Sequence, residues 1–74
     1  MKPQGVFLFY TTSSALRAEQ VLGAAGIPVK LIPTPRQLSS DCGVALRFDW
    51  EQHAKAEGLL REAKVETAGV QALT

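Results

Sequence analysis

The feature that most constrains this chain is a change of hydrophobic period that occurs twice along it. Val6-Phe7-Leu8-Phe9-Tyr10 is a compact apolar run rich in β-formers, and it predicts a buried strand. Thr11, Thr12, Ser13 and Ser14 follow as N-cap candidates. Ala15, Ala18, Leu22 and Ala25 then recur at helical spacing, with Leu16 and Val21 widening the stripe. Gly26 closes this first helix, and Pro28 cannot continue it. Val29 to Ile32 predicts a short second strand, ended by Pro33-Thr34-Pro35, because proline offers no ladder donor and restricts the residue before it.

A loop then runs to Gly43, after which the cycle repeats. Val44, Leu46 and Phe48 alternate with Ala45 and Arg47, the period of a strand with one face on the core. Asp49 is a good cap for a second helix from Trp50 to Ala63, whose apolar stripe is Trp50, His53, Ala54, Leu60 and Ala63. Gly58 weakens that helix. Val70, Ala72 and Leu73, after the turn-like Thr67-Ala68-Gly69, predict a short edge strand.

The order strand, helix, strand, strand, helix, strand predicts an α+β domain of the split βαβ or ferredoxin-like type: βαββαβ, an antiparallel sheet with two helices on one face. With 74 residues and no linker or repeat, residues 1–74 form a single domain with a modest core, so self-association is a cheap source of extra stability. The topology also places the loops. The end of the first strand, the start of the first helix and the connection between strands two and three share one edge of the sheet. The start of the second helix, with His53, lies at the other.

Composition excludes several classes. A formal net charge of +1, with Lys and Arg scattered, leaves no electrostatic footprint for nucleic acid or an anionic membrane. One cysteine and one histidine allow neither an internal disulfide nor a zinc site, so no metal and no cofactor is expected. The apolar run after Met1-Lys2-Pro3-Gln4-Gly5 is too short for a signal-peptide core or a membrane span, and a reducing cytoplasm is the expected location.

Chemistry concentrates in Pro33-Thr34-Pro35-Arg36-Gln37-Leu38-Ser39-Ser40-Asp41-Cys42-Gly43. A thiol reacts as its thiolate, and a helix N-terminus or nearby cation lowers its pKa from about 8.5 towards roughly 3.5 to 7.5. Arg36 and the first helix, at Thr11, Thr12 and Ser13, are positioned by topology to supply both. Ser39 and Ser40 offer hydroxyls, and Gly43 allows close backbone approach or a positive φ. Asp41 acts in the opposite direction. The alternative is a packed cysteine that behaves as a small hydrophobe, with Arg36 and the serines serving only the loop. His53, on the opposite edge, is expected to be a helix-surface or capping residue, and Trp50 a core anchor or interface residue.

The string PTPRQLSSDCGVALRF, with the aromatic first strand and the ALRAEQVLGAAGIPVKLIP run, resembles the selenium/sulfur carrier protein-like family over roughly residues 5 to 63. Arg36, Ser39, Ser40, Cys42 and Gly43 match its motif, and Asp41 occupies a variable position. The resemblance implies a non-catalytic carrier in which Cys42 holds sulfur or selenium as a persulfide or selenylsulfide. A protein donor and a protein acceptor would then be its partners. The competing expectation is a small-molecule or anion-binding regulatory or interaction module whose cysteine is structural. A homodimer formed through the open face of the sheet is compatible with either.

Overall fold

The computed structural model describes residues 3–35, 38 and 43–73. Their elements follow the order β1 (Gln4–Leu8), α1 (Thr12–Ala24), β2 (Val29–Pro33), β3 (Val44–Asp49), a 3-10 turn (Trp50–Gln52), α2 (His53–Glu62) and β4 (Gly69–Ala72). The four strands form one sheet in the order β2-β3-β1-β4, with every neighbouring pair antiparallel. Each βαβ unit is thus split by a strand of the other, which is the ferredoxin-like arrangement.

Strand alternation divides the sheet into two unlike faces. Phe7, Leu46 and Phe48 lie on the face that packs with Ala15, Ala18 and Leu22 of α1 and with Ala56 and Leu60 of α2. Phe7 stacks on Phe48 with ring centroids 4.5 Å apart. On the other face, Val6 stands in register with Arg47 and Gln71, and Ala45 with Leu8 and Ile32. Val6 and Ala45 are fully buried although they belong to no part of the helix-covered cluster. The long side chains of Arg47 and Gln71 beside Val6 account for its cover. The apolar face that suggested self-association is therefore narrower than the Val6–Tyr10 run implies. Among the described residues the exposed large hydrophobic side chains are Tyr10 and Leu16.

Both helices end in the same way. After α1, the N–H of Gly26 donates to Gly23 O at 3.0 Å and that of Ile27 to Leu22 O at 3.0 Å; after α2, Lys64 donates to Arg61 O at 3.1 Å and Val65 to Leu60 O at 2.9 Å. These are Schellman closures, in which the residue past the cap turns left-handed. Gly26 does so at φ 82° without steric penalty, whereas Lys64 does so at φ 58° with a Cβ. Ile27 and Val65, the next residues, are buried against Leu22 and Leu60 in the core. At its start, α1 is capped by Thr11, whose Oγ1 accepts from the N–H of Ser14 at 3.2 Å.

Four boundaries or phases differ from the sequence expectation. β1 begins two residues earlier, at Gln4, and stops at Leu8, so Phe9 is buried beyond the strand and Tyr10 is half exposed. Pairing with Asp49 and Phe48 draws Gln4 and Gly5 into the ladder despite their poor β propensity. Pro33 is part of β2, where Thr34 N–H donates to Gly43 O and so fixes the alternation: Pro33 falls at an outward position whose missing N–H costs no ladder bond. The 3-10 turn rotates the phase of α2, so Ala56 replaces Ala54 in the buried stripe and Ala54 is exposed.

Candidate functional site

The register fixes what meets at each end of the sheet. Leu8 pairs with Ala45, Ala45 with Ile32, and Val44 with Pro33. The end of β1, the cap of α1 at Thr11 and the two described flanks of the β2–β3 connection thus share one edge, as the topology predicts. The flanks are joined by the Thr34 to Gly43 hydrogen bond at 3.1 Å, and Leu38 N–H donates to Pro35 O at 2.9 Å. Arg36, Ser39, Ser40, Asp41 and Cys42 lie outside the described residues.

Of the other expected site residues, Thr11 uses its hydroxyl as the N-cap and also donates to Ser14 Oγ at 3.1 Å. Thr12 and Ser13 are exposed in the first turn of α1, which contains no acidic residue to offset the positive end of the helix dipole. Gly43 is exposed. A Cβ there would meet none of the described residues within 4 Å. A cleft of about 160 Å³ opens on the β4 side of the same edge, between Glu57, Leu60 and Arg61 of α2 and the Val65 to Thr67 connection, over Phe7.

His53 stands at the opposite edge, where Asp49 pairs with Gln4, about 17 Å away along a six-residue strand. Its ring stacks on Trp50 with centroids 4.5 Å apart and an interplanar angle of 12°. Its Nε2 is 3.0 Å from Glu57 Oε2, a charge-pair distance without an aligned hydrogen bond. Glu57 Oε1 in turn faces Arg61 at 3.7 Å. His53 is thus held by a helix-surface pairing and by stacking. Trp50 packs against the core, as an anchor would. Beneath it lies Gly5, where a Cβ would collide with the indole ring.

A second cleft, of about 150 Å³, lies at this far edge and is lined by Gln4, Pro28, Val29, Lys30, Arg47, Phe48 and Asp49. Lys30 and Arg47 face each other directly across β2 and β3. In the sequence the two cations are far apart and look scattered. Only the hairpin register, which the loop length hides, brings them together.

Residues 4–71 match the family described as Putative Se/S carrier protein-like. The chain belongs to that family. No curated protein and no solved structure matches it. No described helix is long and apolar enough to cross a membrane.

Proposed function

We propose that this family member is a carrier whose working atom is Sγ of Cys42, bearing sulfur as a persulfide or selenium as a selenylsulfide between two proteins. The observation that carries the reading is the family match across residues 4–71, a span that contains the only cysteine of the chain.

The chemistry needs one ionised thiol and no net electron transfer. The thiol of Cys42 loses its proton to solvent, and the thiolate attacks the outer sulfur of a persulfide on the donor. That S–S bond breaks, its electron pair leaves on the donor cysteine, and a new S–S bond forms at Cys42. Attack on the Cys42 persulfide by an acceptor thiolate reverses the sequence. A perselenide donor delivers selenium by the same exchange, with an S–Se bond formed at Cys42. No cofactor and no second catalytic group takes part, so the protein acts as a carrier, not an enzyme.

The reading requires a persistent thiolate, which the described part of this edge supports and Asp41 opposes. Gly43, which follows Cys42 in the sequence, stands at the edge where α1 begins, and the first turn there lacks a carboxylate. Helix N-termini and nearby cations depress thiol pKa values. On this reading Arg36 supplies the cation, Ser39, Ser40, Thr11, Thr12 and Ser13 line the approach, and Gly43 keeps one side open. A reducing cytoplasm keeps the thiol available. A second copy of the chain is a further partner, met through the helix-free face at half-buried Leu8 and Ile32. Light scattering at micromolar concentration tests that pairing.

The direct test is incubation with a cysteine-desulfurase-type donor and cysteine, followed by intact-mass measurement. One added sulfur, released by dithiothreitol and missing in Cys42→Ala, is the expected result. Wild-type protein that stays unmodified while an established persulfide acceptor loads in the same mixture refutes the reading. Alkylation rate against pH gives a second measure, with an inflection expected below the free-thiol value of about 8.5.

A further inference from the structure

The stem of Arg47 helps to cover Val6, but its charged head stands beside that of Lys30 at a cost to the fold. Like charges placed directly opposite across antiparallel strands are destabilising, and the usual remedy is an intervening carboxylate. Among the described residues neither side chain has one at ion-pair distance, since the ion pairs there join His53, Glu57 and Arg61 on α2. The arrangement is also held firmly. Because Thr34 N–H bonds to Gly43 O, the antiparallel alternation makes Lys30 and Arg47 a mutually hydrogen-bonded backbone pair, with Cα atoms about 5.5 Å apart. Both side chains line the cleft of about 150 Å³, on the sheet face without helices.

We propose that this cleft is a binding site for a small phosphate or sulfate ester, with the dianionic head held between Lys30 and Arg47. A dianion satisfies both cations at once, whereas a carboxylate neutralises one. Arginine contributes a planar donor fork and lysine a point charge, a combination suited to tetrahedral oxyanions. Asp49 lines the same cleft two residues beyond Arg47 on the same face, about 7 Å further along the strand. It repels the head group from that end and accepts a hydrogen bond from the rest of the ligand, so the preferred ligand carries a hydroxyl or ammonium beside its anionic head.

The site stands apart from the carrier proposal. It lies at the edge of the sheet opposite Gly43, and it holds whether or not Cys42 transfers sulfur.

Titration of isotopically labelled protein by NMR, with phosphate, sulfate and O-phosphoethanolamine against chloride at matched ionic strength, tests it. Saturable shifts at Val29, Lys30, Arg47, Phe48 and Asp49 are expected with the three oxyanions and not with chloride. Lys30→Gln and Arg47→Gln should each weaken binding about tenfold, equivalent to about 1.4 kcal/mol. O-phosphoethanolamine should bind more tightly than phosphate, and Asp49→Asn should remove that advantage. Both cation variants keep the hairpin, and without anion at low salt their thermal midpoints should equal or exceed wild type because a repulsion is relieved. Shifts reproduced by chloride, shifts that do not saturate, or variants that titrate like wild type overturn the proposal. A phosphoethanolamine preference that survives Asp49→Asn removes the part assigned to Asp49.

Discussion

Gly5→Ala adds one methyl to a position where the fold has no room for it. The new Cβ would press on Cε3 of Trp50, with Cζ3 at 2.8 Å and the backbone oxygen of Gln71 at 3.1 Å. The indole cannot retreat freely, because His53 stacks on it at 4.5 Å and Phe48 lies at 5.9 Å. Nor can Gln71 O, which belongs to β4 and moves only if the strand leaves its register with β1. Overpacking of this kind costs about 1–3 kcal/mol, while replacing glycine recovers about 0.4–1 kcal/mol by narrowing the unfolded ensemble. A net loss of about 1–2 kcal/mol is expected. A domain of this size loses about 4–8 °C in Tm per kcal/mol, so the shift is easily measured. Thermal and urea unfolding should be followed by far-ultraviolet circular dichroism, since Trp50 fluorescence reports the perturbed ring itself. The decisive arm is the same substitution in a Trp50→Leu background, where the loss should shrink by about half or more. A Gly5→Ala protein as stable as wild type, or a loss unchanged without the indole, refutes the reasoning.

Lys64→Gly should raise stability by about 0.5–1 kcal/mol in urea denaturation, because the left-handed position past α2 then carries no Cβ, as at Gly26. Arg17→Met should lower it by about 0.3–1 kcal/mol, and less at high salt, since the guanidinium donates to Ala63 O, the cap of α2, at 3.1 Å. Gly43→Ala should leave the unfolding midpoint equal to or slightly above wild type, as a methyl there meets none of the described residues. A midpoint below wild type would show that the position has a packing role.

The sequence exposes most of this fold because its punctuation is strong. Thr11 and Gly26 bracket α1, and the alternation of Val44, Leu46 and Phe48 marks β3, each by a local rule. Where the expectation slips, long-range pairing is responsible. Gln4 and Gly5 enter β1 because β3 offers them partners, and Pro33 stays in β2 because its bare nitrogen faces outward. The left-handed turn at Lys64 is enforced by the burial of Val65 against Leu60, against the preference of lysine itself. Contacts between distant segments leave no local signal at all: Arg17 with Ala63, Gly5 under Trp50, and Lys30 opposite Arg47. The edge shared by Thr11 and Gly43 was legible from topology alone, because element order fixes which loops share an edge before any side chain is placed.

The same separation makes the cysteine experiment interpretable. The described flanks of the connection between β2 and β3, Thr34, Pro35 and Leu38, are half-buried and belong to no part of the buried core. The Thr34 to Gly43 bond closes the hairpin at its base, between the described flanks. If Cys42 serves chemistry, Cys42→Ala should abolish sulfur loading while its unfolding free energy stays within about 0.5 kcal/mol of wild type, the range for a substitution outside the core. A packed cysteine behaves otherwise, because deleting a buried sulfur leaves a cavity that costs free energy on top of the lost transfer term. A loss of about 1 kcal/mol or more in Cys42→Ala, with slow alkylation of the native wild-type thiol, would therefore mark the cysteine as structural and remove the basis of the carrier proposal.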